Sequence, residues 1–177
     1  MGPMDPAPSL QRFQEEHDRL WDLLLRYQEG LMEGDLERAR LAVETLIVEL
    51  EVHAEVEDRV LLPLFRELGL EREGAGLELF DAEHRKLRDL AQGLLGEVER
   101  LDRMARGGAL GSRDRLDGIE QAYTFKHLLH HHTAREDRVL YPALGDAVDD
   151  AERARVWARM DAVEEQARGR LAGGPVG

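Results

Sequence analysis

The chain has 177 residues and a formal net charge of −13, with 42% hydrophobic and 34% charged residues, which is ordinary for one helical globular domain. The acidic excess argues against binding to nucleic acid or to an anionic membrane surface, because both need clustered Lys and Arg. Without cysteine, disulfides, thiolate metal sites and cysteine nucleophiles are excluded, and His, Asp and Glu remain as the strong metal ligands.

The sequence shows no apolar run of about 18 residues that would span a membrane, and its first residues lack the apolar core of a signal peptide. We therefore expect a cytoplasmic protein. Small molecules, cations or other proteins are the expected partners.

Glycine-containing turns at Gly34, at residues 69–76 and at residues 107–112 divide the chain into segments with the hydrophobic periodicity of helices. Ser9 is expected to cap the first helix, and Pro63 is expected to bend or end the second. The four long predicted helices span residues 9–31, 36–63, 77–104 and 113–144.

The predicted fold is all-α, with an up-down-up-down four-helix bundle over residues 9–146, because short turns join consecutive long helices. Residues 149–172 are predicted to form an additional C-terminal helix that packs on the bundle, since Trp157, Met160 and Val163 recur at helical spacing. A dimer contact and a lid over the functional site are the alternative interpretations of this last helix.

The helices repeat in pairs. An eleven-residue segment at residues 53–63 recurs at 132–142 with seven identical positions, and residues 13–23 recur at 80–90 with six. Each half therefore has one helix that carries a histidine, followed by one that carries a His-x3-Glu motif. We interpret the chain as a duplicated helical hairpin.

The repeat selects six candidate metal ligands. On a helix that turns about 100° per residue, side chains four positions apart lie about 40° apart, so each His-x3-Glu motif points both side chains to one face. Counted from the turns that join them, candidates on neighbouring helices differ in level by only about 3 to 6 Å. The predicted metal ligands are His17, His53, Glu57, His84, His132 and Glu136.

Four imidazoles and two carboxylates suit a pair of metal ions that the carboxylates bridge, and the imidazoles favour iron, zinc or copper over magnesium or calcium. Without a metal, the buried histidines would each need a hydrogen-bond partner, and the buried glutamates would be costly unless paired. We therefore interpret the set as a metal centre.

This pattern resembles the hemerythrin-like, or HHE cation-binding, family, whose signature is a histidine on each of four helices and two His-x3-Glu motifs that end in Leu-x-Pro. The six candidate ligands match that signature, and the resemblance covers residues 10–145. It implies a non-haem di-iron centre, bridged by the carboxylates and by an oxo or hydroxo group, that binds dioxygen, nitric oxide or peroxide. Catalase-like turnover of peroxide is a further activity of such a centre, so it stays open whether the protein is an enzyme.

One position departs from the oxygen-carrying members of that family. Those members have a pattern of five histidines. The extra histidine ligand lies one turn after the histidine of the third helix, where this chain has Arg88. The corresponding residue of the first half is Trp21. Open positions on both metal ions favour peroxide or redox chemistry over reversible oxygen carriage, which is the hypothesis that we adopt.

Two further residues compete as ligands. Glu49 lies one turn before His53 and is either a seventh ligand or paired with a neighbouring arginine. His131 is the alternative to His132 as a ligand. The oxygen-carrying relatives have a His-x4-Asp spacing at this place, and a local bulge in the helix would allow the same spacing here.

The remaining polar residues near the candidates have less specific interpretations. Glu16 and Glu83 precede the ligand histidines and either orient an imidazole N–H or pair with an arginine. His127 and His130 are interpreted as solvated or packed imidazoles, with a proton relay or adventitious metal binding as the alternative. Tyr141 is interpreted as a residue at the edge of the core, without a functional role.

Other functions compete with a sensor or binder of small oxidants. A ferroxidase or iron-storage protein typically uses Glu-x2-His on two helices, a pattern that only Asp81-x2-His84 approaches. A di-iron oxygenase would need a pocket for an organic substrate beside the metals. In a non-enzymatic partner-binding bundle, the metal site would supply stability alone.

Overall fold

The computed structural model describes residues 11–173, so the predicted cap Ser9 and the first positions of the predicted bundle lie outside the described residues. The all-α fold class is confirmed, since residues 11–173 contain no β-strand beyond an isolated bridge between Arg72 and Ala75. The α-helices are α1 Gln11–Glu33, α2 Leu36–Val56, α3 Leu62–Glu67, α4 Leu77–Arg106, α5 Ser112–Arg135, α6 Tyr141–Ala147 and α7 Asp150–Ala172. None of them has the length and apolar character needed to cross a membrane.

The turn between α1 and α2 is tight. Gly34 has a φ of +78°, which favours glycine, and the Asp35 side chain caps α2 by accepting a hydrogen bond from the Arg38 N–H at 3.0 Å. A Cβ atom on Gly30 would lie 2.7 Å from the backbone nitrogen of Ala39. The two helices therefore approach each other closely at the end where the turn joins them.

Two π-helical turns interrupt the second and fourth long helices of the prediction, at Glu57–Leu61 and at Glu136–Leu140. In each turn an amide bonds to the carbonyl five residues earlier, from Leu62 to Glu57 and from Tyr141 to Glu136. Both turns have the sequence Glu-Asp-Arg-Val-Leu, and each begins at the glutamate of a His-x3-Glu motif.

Of the two effects expected of Pro63, ending the second helix is wrong, because the chain stays helical to Glu67, and bending it stays a prediction. The wide turn before the proline starts a new hydrogen-bond register, so Pro63 lies in the first turn of α3, where a missing N–H costs little. Pro142 has the same position at the start of α6.

The long helices contact one another in a ring, in which α1 packs on α2 and α5, and α4 packs on α2 and α5. Their apolar side chains form two clusters, one around Tyr27, Leu46 and Phe125 and the other around Phe65 and Phe80. The four candidate histidines lie between these clusters along the chain, for example His17 between Phe13 and Leu20. The site is therefore enclosed by apolar packing at both ends.

The last helix, α7, contacts α2 and the first π-helical turn. Trp157, Met160 and Val163, the residues on which its prediction rested, are buried in the second apolar cluster. Ion pairs from Arg168 to Glu49 and from Arg170 to Glu55 hold the end of α7 against α2. The division of the chain at residues 146–149 stays a prediction.

Candidate metal centre

The structure brings the six predicted ligands together in the interior, with at most 4% of any of them exposed. One ligand atom from each of His53, Glu57, His132 and Glu136 lies within 4.8 Å of the others. His17 joins this group through Nε2, 3.0 Å from Glu136 Oε2, and His84 through Nε2, 3.3 Å from Glu57 Oε2. We call these six residues the buried cluster.

Glu136 is the centre of the buried cluster, because its carboxylate lies near all four histidines. Its oxygens are 2.7 Å from His132 Nε2 and 3.0 Å from His17 Nε2, and 3.7 and 3.9 Å from the Nε2 atoms of His53 and His84. Glu57 has fewer such neighbours, with its Oε2 at 3.3 Å from His84 Nε2 and at 3.9 Å from His53 Nε2. Each carboxylate therefore faces histidines from both halves of the chain.

Several buried atoms of the cluster have no hydrogen-bond partner within the described chain. They are Nδ1 of His17, the Nε2 atoms of His53, His84 and His132, Oε2 of Glu57, and both carboxylate oxygens of Glu136. A buried polar atom without a partner costs about 1–3 kcal/mol, so a group of them facing one point needs an explanation. Cations bound among these nitrogen and oxygen atoms would satisfy them, and the donor set suits iron, zinc or copper.

The other ring nitrogen of two histidines is held by a glutamate from the neighbouring helix. His53 Nδ1 lies 3.3 Å from Glu16 Oε2, and His132 Nδ1 lies 3.2 Å from Glu83 Oε2. Both alternatives predicted for these glutamates occur together, because Glu16 also bonds to Arg12 and Glu83 to Arg135. A carboxylate on Nδ1 fixes the ring so that Nε2 points into the cluster.

Asp58 has the same role for His84, and Asp137 lies at the corresponding place beside His17; the sequence reasoning missed both aspartates. His84 Nδ1 lies 2.7 Å from Asp58 Oδ1, whereas His17 Nδ1 lies 3.3 Å from Asp137 Oδ1 without hydrogen-bond geometry. Both aspartates directly follow the glutamate of a His-x3-Glu motif. Their identity in the two copies of the repeat was the signal that could have found them.

In the absence of a metal, nearby carboxylates raise the pKa of three of the imidazoles, those of His53, His84 and His132. Burial by itself would lower the pKa of His84, but the hydrogen bond to Asp58 and the nearby carboxylates of Glu136 and Glu57 outweigh it and raise the pKa from 6.5 to about 12. The pKa of His53 is likewise raised well above its usual value, while the neighbouring histidines lower that of Glu136. Metal ions that bind here therefore compete with protons.

Tyr141 is the residue that breaks the symmetry of the two halves at the cluster. Its hydroxyl donates a hydrogen bond of 2.6 Å to Glu57 Oε1 and lies 3.3 Å from His17 Nε2. The ring stacks on Phe13 at a centroid distance of 4.0 Å. The first half has Leu62 at this position, so comparison of the two copies gave no reason to select the tyrosine.

Arg88, at the position of the fifth histidine in oxygen carriers, bonds to carboxylates outside the cluster. Its Nε lies 2.5 Å from Glu51 Oε2 and its Nη2 lies 3.3 Å from Asp58 Oδ2. Because Asp58 contacts His84, the guanidinium acts on the cluster only through that aspartate. Trp21 is half-buried against the apolar core of the bundle.

The two competing ligands lie elsewhere. Glu49 accepts hydrogen bonds from Arg168 on α7 and pairs with Arg19 at 2.9 Å, which matches its interpretation as the partner of an arginine. His131 is exposed, and its Nε2 lies 3.3 Å from that of His127. A local bulge does exist in this helix, but it begins at Glu136 and so leaves His132 facing inward.

Comparison with known proteins agrees with the geometry. The model of the hemerythrin HHE cation-binding domain matches the chain over residues 9–144 and again over residues 75–173. No curated protein and no solved structure matches the chain. The first match covers most of the 177 residues and includes both His-x3-Glu motifs. The chain therefore belongs to the hemerythrin HHE cation-binding domain family.

Proposed function

We propose that the protein is a non-haem di-iron hemerythrin-like protein that binds or senses dioxygen, nitric oxide or peroxide at its buried cluster. The observation that carries the proposal is the convergence of four buried imidazoles and two buried carboxylates on one place, where most of the facing nitrogen and oxygen atoms lack hydrogen-bond geometry. The ligands of the two iron ions in this proposal are His17, His53, Glu57, His84, His132 and Glu136.

The contacts of the two carboxylates support a pair of ions. Glu57 has His53 of its own half and His84 of the other half as neighbours, and Glu136 has neighbours in both halves as well. A carboxylate with histidines on both sides suits a bridge, and the imidazoles then serve as terminal ligands. Iron, when bound, would supply the affinity for dioxygen, nitric oxide or peroxide, and an oxo or hydroxo group would complete the bridge.

The finer fold proposal is an up-down-up-down four-helix bundle followed by an appended helix. The ring of contacts among α1, α2, α4 and α5 supports it, because consecutive long helices are neighbours in that ring. A cytoplasmic location stays a prediction from the sequence.

We favour peroxide or redox chemistry over reversible oxygen carriage. Arg88 bonds to Glu51 and Asp58, so the position of the fifth histidine supplies no ligand atom to the cluster. The Tyr141 hydroxyl donates to Glu57, and burial together with Glu136 and Glu57 raises the pKa of this tyrosine so that it keeps its proton. Catalase-like turnover of peroxide is the activity that would make the protein an enzyme.

A di-iron oxygenase is the second candidate, because an apolar cavity adjoins the cluster. The cavity has a volume of about 390 Å³, and Phe13, Leu61, Trp157 and Met160 are among the residues that line it together with Tyr141. Tyr141 thus contacts both the cavity and Glu57. No such observation favours iron storage, since Asp81 is exposed and pairs with Arg85.

Metal analysis of protein purified without added metal tests the proposal, combined with absorption spectra before and after addition of peroxide. We expect two iron ions per chain and the near-ultraviolet bands of an oxo-bridged iron pair. Glu136→Ala should remove both the iron and the bands, and the control Glu49→Gln should retain them. Zinc in place of iron, or a spectrum that peroxide leaves unchanged, would contradict the proposal. Iron uptake far above two ions per chain would favour storage.

A further inference from the structure

Helix α5 carries four histidines, of which only His132 faces the buried cluster. His127, His130 and His131 are exposed on the outer side of the helix. His127 and His131 are four residues apart, and their rings lie at a centroid distance of 4.5 Å, with the two Nε2 atoms 3.3 Å apart. The fold thus brings two exposed imidazole nitrogens within 3.3 Å of each other on the surface of α5.

The separation of these two nitrogens matches the span of one metal ion. Two imidazole nitrogens that each lie about 2.0–2.1 Å from a tetrahedral zinc ion are about 3.3 Å apart. Histidines four residues apart on a helix are a known way of holding such an ion, because the helix itself sets their spacing. The pair needs little rearrangement to chelate, and the exposed side leaves room for water on the remaining positions.

The first half of the chain has no such pair at the corresponding positions. When His132 is aligned with His53, His127 corresponds to Val48 and His131 corresponds to Val52. Val52 is buried and lines a cleft together with Asp161 and Glu164 of α7. The histidine pair therefore lies on a face that α7 covers in one half and that is exposed in the other.

We propose that His127 and His131 form a second metal site, on the surface of α5, for a late first-row divalent ion such as Ni²⁺, Cu²⁺ or Zn²⁺. The two Nε2 atoms are the protein ligands, and water completes the coordination. Imidazole nitrogens bind copper, nickel and zinc more tightly than iron, following the general order of affinities. The site has only imidazole nitrogens and water as ligands, unlike the carboxylate-containing cluster, and it does not rest on the proposed di-iron function.

His130 provides a matched control on the same helix. It is as exposed as the pair, but its ring lies 5.6 Å from that of His131 and 6.3 Å from that of Trp21. Alanine is the best helix former, so replacing any of these exposed histidines by alanine should leave the fold intact. Circular dichroism and the content of metal after purification check that the helices and the buried cluster are unchanged.

Titration of the full chain, as purified, with Ni²⁺ alone in a calorimeter tests the site. We expect one Ni²⁺ per chain in the unsubstituted protein, with affinity at least about tenfold lower in His127→Ala and in His131→Ala, since even changes beside metal ligands cost 10- to 100-fold. His130→Ala should bind like the unsubstituted protein. With Cu²⁺, the electron paramagnetic resonance spectrum should report two nitrogen ligands, reduced to one by either substitution at the pair.

Equal Ni²⁺ affinity in the unsubstituted protein and in His127→Ala would overturn the site, because binding would then involve other groups. A loss of affinity in His130→Ala as large as that in the pair would overturn the assignment of the ligands. If no Ni²⁺ binds, the short distance between the two rings is a hydrogen bond only, and the proposal fails.

Discussion

The first half of the chain, with α1 and α2, and the second half, with α4 and α5, present the same side chains to the buried cluster and differ in what surrounds them. Each half supplies a histidine, a His-x3-Glu motif, a glutamate on a neighbouring imidazole and a π-helical turn. Around the cluster, Leu62 corresponds to Tyr141 and Trp21 to Arg88. The duplication has thus kept the residues that meet at the centre, whereas the positions around it have diverged.

The geometry is also less symmetric than the repeated motifs. Glu136 lies within 3.9 Å of all four histidines, while Glu57 lies within that distance of two and accepts a hydrogen bond from Tyr141. Substitutions at matched positions of the two halves measure how far the two carboxylates differ.

The largest expected effect is that of Glu136→Gln in the metal-free protein. Removing this charge leaves buried imidazoles without their main partner, and loss of one member of a buried ion pair typically costs about 3–5 kcal/mol in the free energy of unfolding. Glu57→Gln should cost less, because fewer histidines lie near it. Urea unfolding of both variants makes the comparison, and equal losses would mean that the two carboxylates are equivalent.

The hydroxyl of Tyr141 should come next. Tyr141→Phe removes a buried hydrogen bond to a carboxylate, which is worth about 1.5–3 kcal/mol, and keeps the stacking on Phe13. Tyr27→Phe is the control, since its buried hydroxyl makes a long bond of 3.4 Å to the Gly118 carbonyl oxygen and should cost about 1 kcal/mol. Chemical denaturation measures both, and a smaller loss for Tyr141 than for Tyr27 would speak against a role at the cluster.

The two aspartates of the repeated Glu-Asp-Arg-Val-Leu segment should also differ, with the larger effect in the first half. Asp58→Asn should weaken metal binding by about 10- to 100-fold, because Asp58 holds His84 Nδ1 at 2.7 Å. Asp137→Asn should have a smaller effect, since Asp137 is 39% exposed and lies 3.3 Å from His17. Competition with a chelator measures both affinities, and the opposite order would contradict the asymmetry seen in the structure.

The smallest effect is expected at Glu49, which one interpretation of the sequence made a seventh ligand. Glu49→Gln should change the free energy of unfolding by at most about 1 kcal/mol, because its partners Arg19 and Arg168 are largely exposed. The metal content should stay the same. A loss of bound metal in this variant would show that Glu49 does reach the ions.

Much of this arrangement could be predicted from the sequence, because it follows from two regular features. Hydrophobic periodicity between glycine turns located the long helices, and the two repeated segments selected six side chains that lie together in the interior. A helix fixes which residues share a face, and the distance from a turn fixes their level, so both could be calculated without coordinates.

The remainder depended on information that the periodicity does not contain. The π-helical turns at Glu57–Leu61 and Glu136–Leu140 were not predicted, because hydrophobic periodicity does not distinguish a single π-helical turn from a regular α-helix. Tyr141 was missed because comparison of the two copies selects identical positions, and this position differs. Asp58 and Asp137 occupy the same position in the two copies of the repeat. They were not predicted, because only residues on the inward face of each helix were selected as candidate ligands.

The second π-helical turn contains one residue more than a regular helical turn, and this extra residue determines the direction in which Tyr141 points. Deleting one residue from Glu136–Leu140 would restore the regular helical repeat and turn everything beyond it by about 100° around the helix axis. The phenol of Tyr141 would then point away from Glu57, although the side chains of the buried cluster kept their places. The extra residue thus sets the rotational phase of the helix, and the hydrogen bond to Glu57 depends on it.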